Sequence, residues 1–362
     1  MKKCFLTTLG IASAILVSTN IVLAQAKKIT QGNLVIYRIG DANSSGDINS
    51  DKACPIYLDE YKLSVDKADL VQSIALPSDK SGANRRITAI GRDILSGWIS
   101  LSDNGKYIVV PGYDAPLGET VVNKSSAVVN RVVALVDIDG KVNSETTANN
   151  PFSENAYRSA ASIDGTDVWM SGGGVAGNGG LFHLTKGTNQ GTHIGGMSIR
   201  QIRFYAGDLF MGDGARLYRV SAKNSTTPGT KFANITGDPR FKNGTGFIIV
   251  NLAGKDQPAK NVAYVMTFQE GIFKYSQVGN KWVFNGEYTD LKNLTGVEAK
   301  EENGKAKLFI ISSANTRGGD GVLYEIADMS GHNEDINMGA SKVLAKSNTG
   351  QTFRSLVWAP SN

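Results

Sequence analysis

Three arginines in this 362-residue chain hold the same place in a recurring pattern. Arg158, Arg200 and Arg354 are the first residues of RSAAS, RQIRF and RSLVW. In the first two, a polar hairpin turn follows six residues later. A guanidinium is a planar fork of N–H donors that suits bidentate recognition of a carboxylate, sulfate or phosphate. Three such groups at matched strand starts are expected to converge on one anion-binding mouth. The competing expectation is that each clamps a neighbouring Asp or Glu, and the residues alone leave both open. Asp213 and Asp320, in the Gly-bearing loops GDG and TRGGDG, are expected around the same mouth. Trp98, at the start of GWISLSDNGK, is expected to offer a stacking face to a sugar ring.

A second cluster lies in GDANSSGDINSDK, residues 40–52. Asp41, Asn43, Ser45, Gly46, Ile48 and Asn49 take offsets 1, 3, 5, 6, 8 and 9 of an EF-hand-type calcium loop. Position 12, which should hold a bidentate acid, is Lys52, and the acid stands one place early at Asp51. β-rich segments flank the loop where an EF-hand has helices. The reading competes with an ordinary Asn/Ser/Asp turn. A structural calcium ion, if held, would take Asp41, Asn43, Ser45, Asp47 (through its backbone carbonyl) and Asp51.

Catalytic signatures are sparse. The chain has no G-x-S-x-G elbow and no H-E-x-x-H zinc pair. Residues 172–177 match G-x-G-x-x-G, but a strand follows where a dinucleotide site needs a helix. Of three histidines, only His193 is placed to overlook the mouth. A lyase on this scaffold would use arginine to neutralise a uronate and His193, Tyr113 or Tyr157 as base. A lactonase-like hydrolase would need a metal, for which Asn251 and Glu298 are candidates. A protein-interaction scaffold is the remaining alternative.

The elements that must position these residues repeat. Segments opening near residues 97, 158, 200, 246 and 296 each run from a short strand through a polar turn into a more apolar strand. A third strand follows each of them, as in RVVALVDIDG, GLFHLTKG and GVLYEIADM. The spacing, roughly 50 residues, is that of four-stranded propeller blades. FRSLVWAP, residues 353–360, begins another unit and has no partner strands behind it. GNLVIYRIG, PIYLDEY and LVQSIALP near the start supply three. The expectation is an all-β, six-bladed β-propeller closed by one C-terminal strand joining three N-terminal strands, with seven blades the alternative. Closure removes the open sheet edges that a linear array would expose.

These segments, together with GANRR, LSDNGKYIVVPGYD, NRVVALVD and RSAASIDGTDVW, resemble a family of exported bacterial β-propeller proteins with no assigned activity. The resemblance implies fold and export, and it carries no catalytic motif. It departs most in loop 41–54.

Residues 1–26 read as a secretory signal peptide, with Lys2 and Lys3 ahead of an apolar run and small residues near Ala24 and Ala26. Residues 27–362 are then one propeller domain, exported to periplasm or medium. Cys4 leaves with the signal, and Cys54 alone has no disulfide partner. Removing the signal leaves 36 basic against 33 acidic residues. That balance, with no Lys/Arg run, argues against nucleic acid. No later segment is long enough to span a membrane. The expected partner is an anionic small molecule or acidic glycan, bound by a monomer.

Overall fold

The computed structural model describes residues 27–44, 47–121, 123–237, 239–253, 257–313 and 320–362. The expected signal peptide 1–26, the candidate calcium ligand Ser45 and Arg317 of the TRGGDG loop lie outside the described residues. The described chain is all-β, and its helical content is two three-residue 3-10 turns. Among these residues no helix is long and apolar enough to cross a membrane.

The first antiparallel meander comprises β1 (Leu34–Ile39), β2 (Ala53–Leu63) and β3 (Ala68–Ala75). A short β4 (Thr88–Ile90) pairs with β2 and with β6, joining this meander to the next. That next meander is β5 (Ser100–Leu101), β6 (Ile108–Tyr113), β7 (Arg131–Val136) and β8 (Val142–Ala148). Four-stranded meanders follow in turn, beginning with β9 (Tyr157–Ser162), β10 (Asp167–Gly172), β11 (Gly180–Thr185) and β12 (Thr192–Gly195). Then come β13 (Ile202–Tyr205), β14 (Asp208–Gly212), β15 (Leu217–Ser221) and β16 (Ala233–Asn234). After these come β17 (Gly244–Asn251), β18 (Asn261–Thr267), β19 (Ile272–Val278) and β20 (Lys281–Tyr288). The series continues with β21 (Leu294–Glu302), β22 (Lys305–Ser312), β23 (Val322–Asp328) and β24 (Lys342–Lys346). Finally β25 (Thr352–Trp358) returns to the beginning and pairs antiparallel with β1, Leu34 opposite Trp358 and Ile39 opposite Thr352.

The first strands of the meanders lie side by side. β5 packs on β9, β9 on β13, β17 on β21, β21 on β25 and β25 on β5, while β14 bridges to β17. The sheets therefore stand around a common axis, which is the architecture of a β-propeller. Patterning follows position. IVVPGY of β6 is buried throughout because sheets cover both its faces, whereas outlying β3 is largely exposed, with only Ala68 and Ile74 buried. Apolar clusters join neighbouring meanders: Leu135 and Ala148 meet Ala160 and Met170, and Phe309 and Leu323 meet Leu34 and Phe353.

The SIDGTD hairpin shows how local chemistry sets register. Gly165 takes φ +88°, and a Cβ there would fall 2.7 Å from Tyr107 Cε2. Its amide donates to Ser162 Oγ at 2.9 Å. Only glycine satisfies both the left-handed turn and the approach of the neighbouring meander.

Candidate functional site

The three matched arginines make the same contact. Each reaches from the start of one meander's first strand to the entry of the next. Arg158, on β9, donates from Nη1 to Ser198 Oγ at 2.9 Å and to the Ile199 carbonyl at 3.5 Å. Arg200, just ahead of β13, donates from Nη1 to the Gly244 carbonyl at 2.7 Å. Arg354, on β25, donates from Nη2 to the Gly91 carbonyl at 2.5 Å. Arg200 needs Gly214, at φ +99°, because a Cβ there would meet its Cζ at 2.5 Å.

The clamp anticipated between arginine and carboxylate is thus a clamp on backbone carbonyls. Among the described residues, the arginines with a carboxylate oxygen within 4.0 Å are Arg38, Arg86, Arg92, Arg203 and Arg219. The matched three are not among them. Their donors are incompletely used: Nε of Arg158, and Nε and Nη1 of Arg354, are buried without partners. Burial pushes the pKa of all three below the ordinary guanidinium value. In Arg200 the charge of Arg158, which is bonded to Ser198 and Ile199 just ahead of it, pushes it further down. Asp93 opposes the shift in both Arg158 and Arg354.

Asp93 is the residue that sequence reading passed over. It accepts from the Leu95 amide at 3.0 Å and from Ser96 Oγ, as many turn aspartates do, and nothing local marks it as central. It also lines a cleft of about 590 Å³ with Asp51, Arg92, Tyr113, Asn123 and Glu154. This cleft adjoins Arg354 and Arg158, since Gly91, which holds Arg354, directly precedes Arg92 and Asp93, and Ala156 on the cleft wall stands two residues before Arg158.

Several expected site residues stand elsewhere. Trp98 is fully buried, and its Nε1 donates to the Thr295 carbonyl at 2.7 Å. It plugs the axis and cannot stack on a sugar. Arg203 spans from β13 to Glu298 on β21 at 2.8 Å, filling the axis with a second tie. Glu298 is therefore engaged, although burial raises its pKa. Asn251 Oδ1 caps a turn by accepting from Ala253 and Lys260 amides. Arg354 is 0 % exposed, which removes it from contact with any ligand at the mouth.

The proposed bases are also displaced. His193 lies on β12, at the outer edge of its sheet, against the ring of Phe182 at 5.0 Å. It was expected in a loop over the mouth, but THIG pairs with β11 as a strand. Tyr113 and Tyr157 are buried, and burial raises both phenols above their ordinary value. A phenol in that state is a poor proton acceptor. Asp213 closes its own turn, accepting from Ala215 and Arg216 amides at 2.8 Å and from Tyr218 Oη at 2.7 Å. Asp320 accepts from Ser313 Oγ at 3.1 Å and acts on Arg354 through its charge.

In the 41–51 loop the carboxylates have protein partners. Asp41 accepts from the Asn43 amide at 2.9 Å and from Tyr57 Oη at 3.1 Å. Asp47 pairs with Lys52 at 3.0 Å, its carbonyl accepts from Ser50, and Asp51 pairs with Arg92. Among the described residues no three His, Cys, Asp or Glu side chains gather in a metal-holding group.

No family model and no curated relative matches this chain. Solved structures with which it can be superposed share little sequence. The nidogen/laminin complex has 9% identity and a TM-score of 0.49 over 89% of this chain and 98% of that one. A periplasmic gluconolactonase of Pseudomonas aeruginosa has 10% identity and a TM-score of 0.43, covering 89% and 99%. A gluconolactonase of Xanthomonas campestris has 10% identity and a TM-score of 0.40, covering 90% of each chain.

Proposed function

We propose that this chain is an exported, monomeric six-bladed propeller that binds an anionic small molecule or acidic glycan at one mouth of its ring. Arg158 and Arg200 are the ligand arginines. The observation that carries the reading is their pairing: two half-buried guanidinium groups with no carboxylate contact, Arg158 bonding to Ser198 and Ile199 immediately before Arg200, and Arg158 standing two residues after Ala156 on the wall of the 590 Å³ cleft. An anion placed there relieves the repulsion between them and satisfies their free donors. The cleft's Asn123, Asp93 and Glu154 are suited to sugar hydroxyls, which makes an acidic saccharide the best match of shape and chemistry.

The test is calorimetric titration of residues 27–362 with matched anionic and neutral oligosaccharides. Anionic ligands should bind more tightly, and added salt should narrow the difference. Arg158→Ala and Arg200→Ala should each cost about 1.5–3 kcal/mol of binding, the range for a charge-assisted hydrogen bond. Equal affinity for both ligand classes, unaffected by either variant, overturns the proposal.

A structural calcium ion in the 41–51 loop is a separate, subsidiary proposal. It requires Asp51 to turn from Arg92, and the Asp47 carbonyl from Ser50, toward the ion. Calcium should then raise the melting temperature, and Asp41→Ala should abolish the rise.

A further inference from the structure

We propose that Glu154 is the residue of the 590 Å³ cleft that reads the vicinal hydroxyls of a saccharide, and that the buried guanidinium of Arg131 is its positioning residue. The inference deepens the binding reading above and rests on it for the class of ligand.

Backbone conformation singles the residue out. Among the described residues eight non-glycine residues have positive φ, and five of them are asparagines, which tolerate the left-handed region. Ala206 turns the hairpin between β13 and β14. The other two, Phe152 at φ +54° and Glu154 at φ +59°, share one turn, and Asn123 at φ +64° lines the same cleft as Glu154. Phe152 has a reason in packing. It is 0 % exposed, stacks on Tyr157 at 5.5 Å and meets Phe182 edge-on at 5.3 Å. Glu154 has no such reason. It is exposed on the cleft wall, and its carboxylate makes no hydrogen bond or ion pair among the described residues. Glycine or asparagine would hold this turn with less strain, and strain of this kind marks ligand sites.

Arg131, at the start of β7 and 1 % exposed, supplies the hold. Its Nη1 donates to the Val129 carbonyl at 2.5 Å. Its Nη2 is shared among the carbonyls of Phe152 at 2.5 Å, Lys124 at 3.3 Å and Asn155 at 3.4 Å. The Lys124 carbonyl also accepts from the Glu154 amide at 3.2 Å. The guanidinium carbon stands 5.1 Å from the centre of the Tyr113 ring. One cation thus ties the segments bearing Asn123, Glu154 and Asn155 to Tyr113, and all four residues line the cleft. Asn178 braces the turn from the next meander, accepting from the Ser153 amide at 2.7 Å and donating to the Ser153 carbonyl at 2.9 Å. Burial pushes the Arg131 pKa below the ordinary guanidinium value, so the hold is made against the cost of desolvating a cation. What it presents is an unpaired carboxylate fixed at the cleft wall, whose two oxygens can accept both hydroxyls of a vicinal diol.

The experiment titrates residues 27–362 with trigalacturonate and its neutral counterpart, α-1,4-galactotriose, and melts each variant without ligand. Glu154→Gly should raise the melting temperature by about 1–3 °C, because glycine relieves the left-handed turn. It should weaken both saccharides about tenfold or more, the loss of a charge-assisted hydrogen bond, and keep their ratio. Glu154→Gln should leave melting unchanged and weaken both saccharides less. Arg131→Lys should weaken binding in the parent but no further in Glu154→Gly, because it acts through that residue. Equal losses in both backgrounds overturn the positioning role. If Arg131→Lys does not fold, Glu154→Gly decides alone: higher melting with unchanged affinity, or no gain in melting, overturns the proposal. Equal parent affinity for the two saccharides overturns the arginine reading alone, and a fall in both with Glu154→Gly still supports this one. No binding of either saccharide overturns both.

Discussion

The indole of Trp98 donates to the carbonyl of Thr295 at 2.7 Å across the centre of the ring, tying the entry of β5 to β21. Nearby, Ser355 Oγ donates to the Gly97 carbonyl and accepts from the Ile99 amide at 3.1 Å. The axis is therefore a packed polar core, and any ligand is confined to its ends.

Trp98→Ala should destabilise the fold by about 3–5 kcal/mol, the range for removing a buried large aromatic. Trp98→Phe should lose less, since it keeps much of the volume but leaves the Thr295 carbonyl unpaired. Denaturant unfolding of the two variants measures both. Equal stability with the parent would mean that the axis is not filled as described.

Removing residues 352–362 should abolish cooperative melting. β25 supplies the inner neighbour of β1 and also packs on β21 and β5. Without it the first meander has an open apolar edge and the ring has a gap. A sharp circular-dichroism transition in the truncated chain would refute closure through β25.

Arg203→Met should destabilise by about 3–5 kcal/mol, because Glu298 would remain buried and unpaired. Replacing both members with apolar residues should recover much of the loss. A double-mutant cycle reads the coupling, and additive losses would show that the pair does not act as a unit.

Acid should weaken the fold through Asp328. Burial opposes its ionisation, but bonds from Ser330, Lys274 and Tyr264 prevail and hold its pKa below the ordinary 3.8. Its side chain and that of Lys274 are wholly buried, 2.9 Å apart. Folding favours the ionised form, so the contribution is full above pH 3.8 and is lost as pH falls through the lower folded value. Asp328→Asn should therefore flatten the acid limb of the stability profile. An unchanged limb would assign acid sensitivity to other carboxylates.

The strands and their order could be read from the sequence because most units repeat a local signal: apolar run, polar Gly-bearing turn, apolar run. The orphan RSLVW marked the return of the chain for the same reason. The register of Arg158, Arg200 and Arg354 was legible too, but not its purpose. Their acceptors are the carbonyls of Ile199, Gly244 and Gly91, and a carbonyl has no letter in a sequence. Trp98 looked available because its local context is a strand start, while its partner comes from 197 residues away. Asp93 was missed because its turn bonds are ordinary and its electrostatic partners are distant in sequence.

Pairing of β25 with β1 also fixes a timetable. During synthesis at about 5–20 residues per second, β1 waits on the order of tens of seconds for its neighbour. Throughout that interval LVIYRI presents an apolar strand edge that another chain could occupy. The nascent protein is consequently most vulnerable to intermolecular strand exchange before its last strand is made, and crowding of unfinished chains, more than heat, is the condition that should expose this weakness.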